Sequence, residues 1–405
     1  MVRLSLIGEL LKMIRKLLIL MGFMALVGFG LLWAISGSWQ SALLLFLAGL
    51  ALAMLLFGLW AASLPWSIRP FFRILLWPRY SLRSIGMENI PKTGPVMLTS
   101  NHVTWIDGFA VAAISPRPIT VLVNKEYCDN PGQRWLARRM NIIPIPASGP
   151  KAQKMALDLM KKALDEGRTV GLFPEAQLCR SGAMNPFQRG LELILRDKPD
   201  VKIIPIGLAG FWGSIFSFSE GRFFKKWPKG LRRKLGVSFG PPLPSQTRAI
   251  DLRQHVLEQV TRATELISNG PIMTEILNLE LGHWRHPELG LLTASAPDFI
   301  QPDRKIHQVG NKPGSVGQAL PGVAIKAVGP DGQDLPMNQN GRLFARVAGK
   351  PGWLDTGVSG RVEPDGFVWL DQPELGHLTT TRMETIRENG VSRHETLECT
   401  AAAGE

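Results

Sequence analysis

Two uncharged apolar runs near the amino terminus constrain this chain more than any other feature. Residues 17–36 read LLILMGFMALVGFGLLWAIS and residues 41–63 read SALLLFLAGLALAMLLFGLWAAS. At a rise of about 1.5 Å per residue, either run spans a hydrocarbon layer of about 30 Å as a helix. Only a short uncharged turn around Gly37, Ser38 and Trp39 separates them. Arg3, Lys12, Arg15 and Lys16 precede the first run, and Arg69, Arg73, Arg79 and Arg83 follow the second. By the positive-inside rule both flanks belong on the cytoplasmic side, as a membrane hairpin. A secretory signal would have one shorter apolar core, and the second full-length run argues against it. A hairpin that dips into one leaflet and a buried soluble hairpin stay open as alternatives.

That placement bears on the charge. Lys and Arg number 46 against 33 Asp and Glu, a formal net charge of +13. Such a surplus suits either nucleic acid or an anionic membrane, and the apolar runs favour the membrane. No nucleic-acid motif is present, so no nucleic-acid partner is expected. Arg222, Lys225, Lys226, Lys229, Arg232, Arg233 and Lys234 interleave with Phe223, Phe224 and Trp227, a composition suited to anionic lipid head groups. Cys128, Cys179 and Cys399 are odd in number and far apart, which excludes a disulfide framework and points to a reducing compartment. No zinc-ligand spacing occurs. His283 and His286 in GHWRHPE have no evident third ligand, so no metal is expected.

Beyond residue 84 the pattern becomes short apolar runs alternating with helical stretches. PVMLTS, PITVLVN, NIIPI, RTVGLF and VKIIPIGLAG read as buried strands. Asp107 to Ile114, Gln133 to Met140, Lys151 to Glu166 and Pro186 to Leu195 read as the helices between them. The alternation predicts an α/β sheet layered with helices, closing near Pro241 to Ser245. Residues 250–277 add one or two helices. Further on, GVAIKAVG, GRLFARVA and GFVWL are separated by PDGQ and PDG turn signals, which predicts a small, mainly β unit. The polar residues after Leu370 read as a loose tail.

The chemistry lies in two loops. Asn101-His102-Val103-Thr104-Trp105-Ile106-Asp107-Gly108 follows directly on the strand PVMLTS. On one continuous helix His102 and Asp107 would lie roughly 140° apart. They meet only if His102 sits in the strand-to-helix turn and Asp107 in the first helical turn. An imidazole held on one nitrogen by a carboxylate is locked in one tautomer, and its other nitrogen accepts a proton. That is the make-up of a general base acting on a hydroxyl, and equally of a satisfied structural His. The second loop is Phe173-Pro174-Glu175-Ala176, after RTVGLF, where α/β sheets bind ligands. Arg180 and Ser181 follow, with donors suited to a phosphate, while an ordinary solvated turn is the plain alternative.

Together, NHxxxxDG and FPE about seventy residues later, behind a membrane hairpin, resemble the glycerolipid acyltransferase family. The likeness is to the bacterial lysophospholipid acyltransferases, of the 1-acylglycerol-3-phosphate type and of the acyltransferase half of bifunctional 2-acylglycerophosphoethanolamine acyltransferase/acyl-carrier-protein synthetases. Lys125-Glu126, the run Trp135 to Pro146 and Ile204-Pro205-Ile206 extend it, over Ser84 to Pro242. The resemblance implies His102 as the base on the acceptor's glycerol hydroxyl and Asp107 as its orienting partner. It implies Glu175 as an acceptor-binding residue, Arg180 and Ser181 near the acceptor's phosphate, and Pro205 at the acyl end. Asn101 and Lys125 complete the implied substrate-binding set. The implied donor is acyl-CoA or acyl-carrier protein, with no cofactor, and the implied location is the cytoplasmic face of the inner membrane, among membrane lipids and lysophospholipid.

There are departures. The family's third block commonly runs Glu-Gly-Thr-Arg, and here it runs Glu175-Ala176-Gln177-Leu178. The second block often ends in Arg, and Ile142 to Ala147 has none. Both losses weaken the case for a terminal phosphate. The resemblance to the ethanolamine-type branch, which also lacks that Arg, allows a phosphodiester head group, and the acceptor stays open. A different membrane alcohol or amino-lipid acceptor, or an inactive scaffold, are the alternatives. A second resemblance, to the middle of acyl-adenylating synthetases, runs through GLLTASAP (290–297), KPGSVGQALPG (312–322), GWLDTGV (352–358) and EPDGF (363–367). Ala294 and Val358 stand where that family carries acids, and its phosphate loop and catalytic Lys segment are missing, which implies a degenerate fragment. The expected order is therefore a membrane-anchoring hairpin over 1–83, an α/β acyltransferase domain over 84–245, a helical connector over 246–289, a degenerate adenylating-enzyme-like β unit over 290–370 and a loose tail over 371–405.

Overall fold

The computed structural model describes residues 28, 30–35, 37–63, 68–125, 130–139, 141–145, 149–219, 232–271, 278–304, 306–378, 381–388 and 391–398. The chain divides into two compact units, Met1–Leu64 and Pro65–Glu405. In the first, helix α1 covers Trp39–Ser63. Its segment Trp39–Leu59, 21 residues with a mean hydropathy of 2.7, is long and apolar enough to cross a membrane by length and composition. The run at 17–36 lies outside the described residues except for 28 and 30–35, which are helical. One such helix among the described residues does not establish the expected two-helix hairpin.

The second unit is built on a seven-stranded sheet. In chain order its elements are α2 (Ile68–Leu76), β1 (Tyr80–Ile85), β2 (Val96–Ser100), α3 (Asp107–Ile114), β3 (Ile119–Asn124), α4 (Pro131–Arg139) and β4 (Ile142–Ile145). Next come α5 (Pro150–Asp165), β5 (Thr169–Leu172), α6 (Gly190–Leu195), β6 (Lys202–Ala209), β7 (Arg233–Phe239) and α7 (Ala249–Glu265). The strand order is β1-β7-β6-β2-β5-β3-β4. All neighbours are parallel except β6 and β7, so β1 and β7 run against the other five.

Pleating sends alternate side chains to opposite faces, and the central strands are apolar on both. Val96 and Leu98 of β2 join Ile204, Ile206, Leu208, Ala110 and Ile114 in one core beneath α2 and α3. Met97 and Ile203 face the other way, into a core with Met160, Leu164, Leu191, Ile194, Leu252 and Val256 from α5, α6 and α7. Helix α7 lies directly on the sheet. A Cβ on Gly207 would fall 2.0 Å from the Gln259 backbone, and one on Gly236 would fall 2.1 Å from the Ala263 carbonyl oxygen. These two glycines allow the close approach.

The described residues of the C-terminal part are mainly β. It comprises β8 (Asn278–His286), β9 (Gly290–Ser295), β10 (Asp298–Gln301), β11 (Ile306–Gln308), β12 (Gln318–Ala319), β13 (Val323–Val328), β14 (Gly341–Val347), β15 (Leu354–Val362), β16 (Val368–Leu370), β17 (Thr381–Glu388) and β18 (Val391–Glu398). They form three small sheets, β12-β9-β8, β13-β14-β15-β16 and β11-β10-β17-β18. Trp284, Leu292, Val316, Ile325, Leu343 and Val368 fill a core shared by the first two of these sheets.

Three expected boundaries move. The large sheet starts at Tyr80, inside the span assigned to the hairpin, because β1 pairs with β7 along its whole length. Among the described residues the connector is helical only over α7, and Asn278–His286 pairs with β9 as a strand. Strands β17 and β18 pair with each other, and β17 with β10, where a loose tail was expected. Of the basic stretch, residues 222–229 lie outside the described residues, whereas Arg233 and Lys234 belong to β7.

Candidate active site

Strands β2 and β5 are parallel neighbours, so the loops that follow them leave the sheet side by side. One loop carries His102 and the other Glu175. The first turns sharply because α3 begins at Asp107, whose buried carboxylate gathers the turn around itself. Its Oδ2 accepts the N–H of Val103 at 2.6 Å and of Thr104 at 2.9 Å, and its Oδ1 accepts the Thr104 hydroxyl. An acid in the first turn of a helix also suits the helix dipole. Two further contacts fix the loop from outside: Thr104 bridges to Ser217, and Trp105 N–H donates to the Phe216 carbonyl.

This wrapping brings His102 to Asp107. The imidazole Nδ1 lies 3.1 Å from Oδ2, with Asp107 fully buried and the His102 side chain 23% exposed. The ring stacks on Phe173, with centroids 4.0 Å apart and planes at 14°. With Nδ1 donating to Asp107, Nε2 is the ring nitrogen left to accept a proton.

Glu175 holds the main chain of His102. Its Oε1 accepts the His102 N–H at 2.6 Å, and its Oε2 accepts both the backbone and side-chain N–H of Asn185 at 2.8 Å. Burial pushes its carboxyl up to about 7, against the lowering effect of those donors. At 2% exposure Glu175 brackets the turn that carries His102. The far end of the bracket is supported by Arg253 of α7, which donates to the Met184 carbonyl at 2.7 Å and the Asn185 carbonyl at 3.2 Å. Burial draws this guanidinium down to about 10.

The other expected residues separate into packed and exposed ones. Asn101 is buried, its amide exchanging two hydrogen bonds with the Leu208 backbone, which ties the catalytic loop to β6. Arg180 is 9% exposed, and its guanidinium lies over Phe218 at 3.2 Å and near Phe299 at 5.2 Å. Ser181 is buried and accepts the Ala183 N–H. Neither is placed to greet a phosphate from solvent, because the loop folds back under its own aromatic neighbours. Pro205 sits in β6 opposite Thr99 of β2, against Gly240. Lys125 is exposed just beyond β3. The structure therefore gathers His102, Asp107 and Glu175, with Asn101 beneath them. A cavity of about 60 Å³ adjoins them, lined by Asn101, Val103, Glu175, Leu208, Phe211, Trp212, Leu257 and Val260, with Ala319 and Pro321 from the C-terminal part.

Thr104, Asn185 and Arg253 carry no motif that marks them in the sequence. Thr104 alone had a local signal, a hydroxyl three residues before the acid of a turn. Cys179 is close by, but burial and the charge of Glu175 push its thiol up to about 12. It stays protonated and is no nucleophile. No group of three or more His, Cys, Asp or Glu that would hold a metal ion occurs among the described residues.

A family model described as Acyltransferase matches residues 81–209, the stretch that holds the whole constellation. This stretch is thus similar to the acyltransferase family. Two curated relatives share the name 1-acyl-sn-glycerol-3-phosphate acyltransferase. The one from Borreliella burgdorferi is 25% identical over 142 residues, 35% of this chain and 56% of that protein. The one from Pseudomonas aeruginosa is 30% identical over 119 residues, 29% of this chain and 45% of that protein. The chain thus spans about half the length of the curated relatives it matches. Among solved structures, the 1-acyl-sn-glycerophosphate (LPA) acyltransferase of Thermotoga maritima is similar at 22% identity, covering 49% of this chain and 78% of that chain, with a TM-score of 0.39. The matched stretch begins where β1 begins and ends with β6, so α7 and every strand from β7 onward lie beyond it.

Proposed function

We propose that the protein transfers a fatty acyl group from a thioester donor, acyl-CoA or acyl-carrier protein, to the glycerol hydroxyl of a lysophospholipid at a membrane. The observation that carries this reading is the His102–Asp107 pair, with its acid buried and its imidazole partly exposed. In the proposed step His102 Nε2 takes the hydroxyl proton while the acceptor oxygen attacks the thioester carbonyl carbon. Asp107 stabilises the imidazolium that forms. The tetrahedral adduct collapses with cleavage of the C–S bond, and the departing thiolate takes the proton back from His102. The ester forms, the thiol leaves and the base is regenerated. No acyl-enzyme is needed, consistent with the protonated thiol of Cys179.

The acceptor named by the relatives, 1-acyl-sn-glycerol-3-phosphate, is the first to test. The residues favour a phosphodiester head group over a terminal phosphate, since Leu178 occupies the position of a common Arg and Arg180 is packed between rings. The apolar segment Trp39–Leu59 supports membrane attachment, and the basic flanks support a site on the cytoplasmic side. The test is an acylation assay on membranes with labelled donor and a panel of lysolipids, comparing the wild type with His102→Ala. The variant is expected to fall to a small residual rate on every acceptor, about 10³-fold or more below the wild type. Wild-type rates in the variant would remove the mechanism, and no acylation by the wild type would favour an inactive scaffold.

A further inference from the structure

The C-terminal β part has no task in the mechanism above, yet one of its side chains reaches the catalytic turn. Gln308, at the end of β11, is 3% exposed. Its Oε1 accepts the N–H of Arg180 at 2.7 Å, and its Nε2 donates to the carbonyl of Leu178 at 2.8 Å. Those two groups flank Cys179, whose N–H donates to the carbonyl of His102 at 2.9 Å. One side-chain amide thus does for residues 178–180 what a neighbouring strand would do, in a stretch with no strand or helix of its own. Phe299 pairs with Gln308 across β10 and β11 and lies 5.2 Å from the Arg180 guanidinium, so the same strand pair packs the loop and hydrogen-bonds it.

We infer that Gln308 is a positioning residue for His102, supplied to the acyltransferase site by the C-terminal part of the chain. The inference rests on the reading of His102 as the base. The backbone of His102 is pinned on both sides: its N–H by Glu175 and its carbonyl by Cys179. Gln308 holds the second pin at its two neighbours. Without that amide, the Leu178 carbonyl and Arg180 N–H lose their buried partners, the loop shifts, and the imidazole leaves its angle to Asp107. A misplacement of about 1 Å in a catalytic group costs up to about a hundredfold in rate.

The experiment uses the full chain in membranes and four variants: Gln308→Met, Gln308→Asn, His102→Ala and the double variant His102→Ala/Gln308→Met. Met keeps the volume and deletes both hydrogen bonds, and Asn keeps an amide too short to reach both groups. Per folded protein, Gln308→Met is expected to lower kcat about 10- to 100-fold with KM for donor and acceptor within about twofold. Gln308→Asn should fall between it and the wild type. In the His102→Ala background, Gln308→Met should cost nothing further, since a residue acting through His102 has nothing left to act on. Wild-type kcat in folded Gln308→Met overturns the inference. So does a loss that tracks the folded fraction and adds fully to that of His102→Ala. Should the Met variant not fold, the same criteria applied to Gln308→Asn decide. Wild-type acylation by His102→Ala overturns the parent reading and this inference with it.

Discussion

Replacing Glu175 by Gln removes a buried charge while keeping the side chain's length and one acceptor oxygen. The carboxyl is raised from 4.5 to about 7 because burial outweighs the donors around it. A difference of that size corresponds to about 3 kcal/mol of proton-binding free energy. The sign follows from linkage. Below pH 4.5 the carboxyl is protonated in folded and unfolded chains alike, and its contribution is fully present. Between 4.5 and about 7 the unfolded chain has released the proton and the folded chain has not, so stability declines as pH rises and levels off above 7. The amide of the Glu175→Gln variant does not titrate, so wild type and variant should diverge by up to about 3 kcal/mol across this window. The variant gains relatively as pH rises. A pH-independent cost of about 1–3 kcal/mol offsets this, because the amide NH2 faces a donor, either the His102 N–H or the Asn185 backbone N–H, and leaves it unpaired. The assay is the thermal midpoint of detergent-solubilised protein from pH 4.5 to 8, with acylation measured alongside. Midpoints that run parallel over the whole range would refute the buried titration of Glu175.

Three further outcomes are expected. Asp107→Asn leaves one acceptor oxygen where the carboxylate now serves His102, two backbone N–H groups and the Thr104 hydroxyl, and it no longer sets the imidazole tautomer. In steady-state assays its kcat should fall about 10³- to 10⁴-fold. Ala176 holds a φ of 55°, the left-handed region, in the active-site loop. Relief of that strain, about 1–2 kcal/mol, less the added backbone entropy of glycine, about 0.5–1 kcal/mol, predicts that Ala176→Gly gains roughly 1 kcal/mol, read as a higher thermal midpoint with activity retained. Gln308→Met, as argued above, should lower kcat at nearly constant KM.

Much of the scaffold was legible because its signals are local. The strands β2 to β6 are short continuous apolar runs, which is what strands covered on both faces require, and the helices between them keep the helical period. Strands β1 and β7 escaped because they sit at one edge of the sheet. Arg83, Arg233 and Lys234 interrupt their apolar residues, and Arg233 and Lys234 read as the end of a basic, lipid-facing stretch. The pairing of β17 with β18 escaped for a related reason. TRMETIRE and VSRHETLE offer little apolar surface, and their strand state comes from pairing with each other and with β10, more than eighty residues earlier.

At the site the same division holds. Five residues of spacing and a strand before them were enough to bring His102 to Asp107, because a tight turn leaves short segments few ways to fold. The apolar composition of residues 39–59 likewise needed no partner to declare itself. The tertiary structure alone decided that Glu175 brackets a backbone 73 residues away, that Arg180 packs between rings, and that Gln308 spans 128 residues to hold the loop beside it. The physical reason is that a buried polar group takes whatever partner the packed chain brings within reach. Sequence spacing carries no record of which one that is.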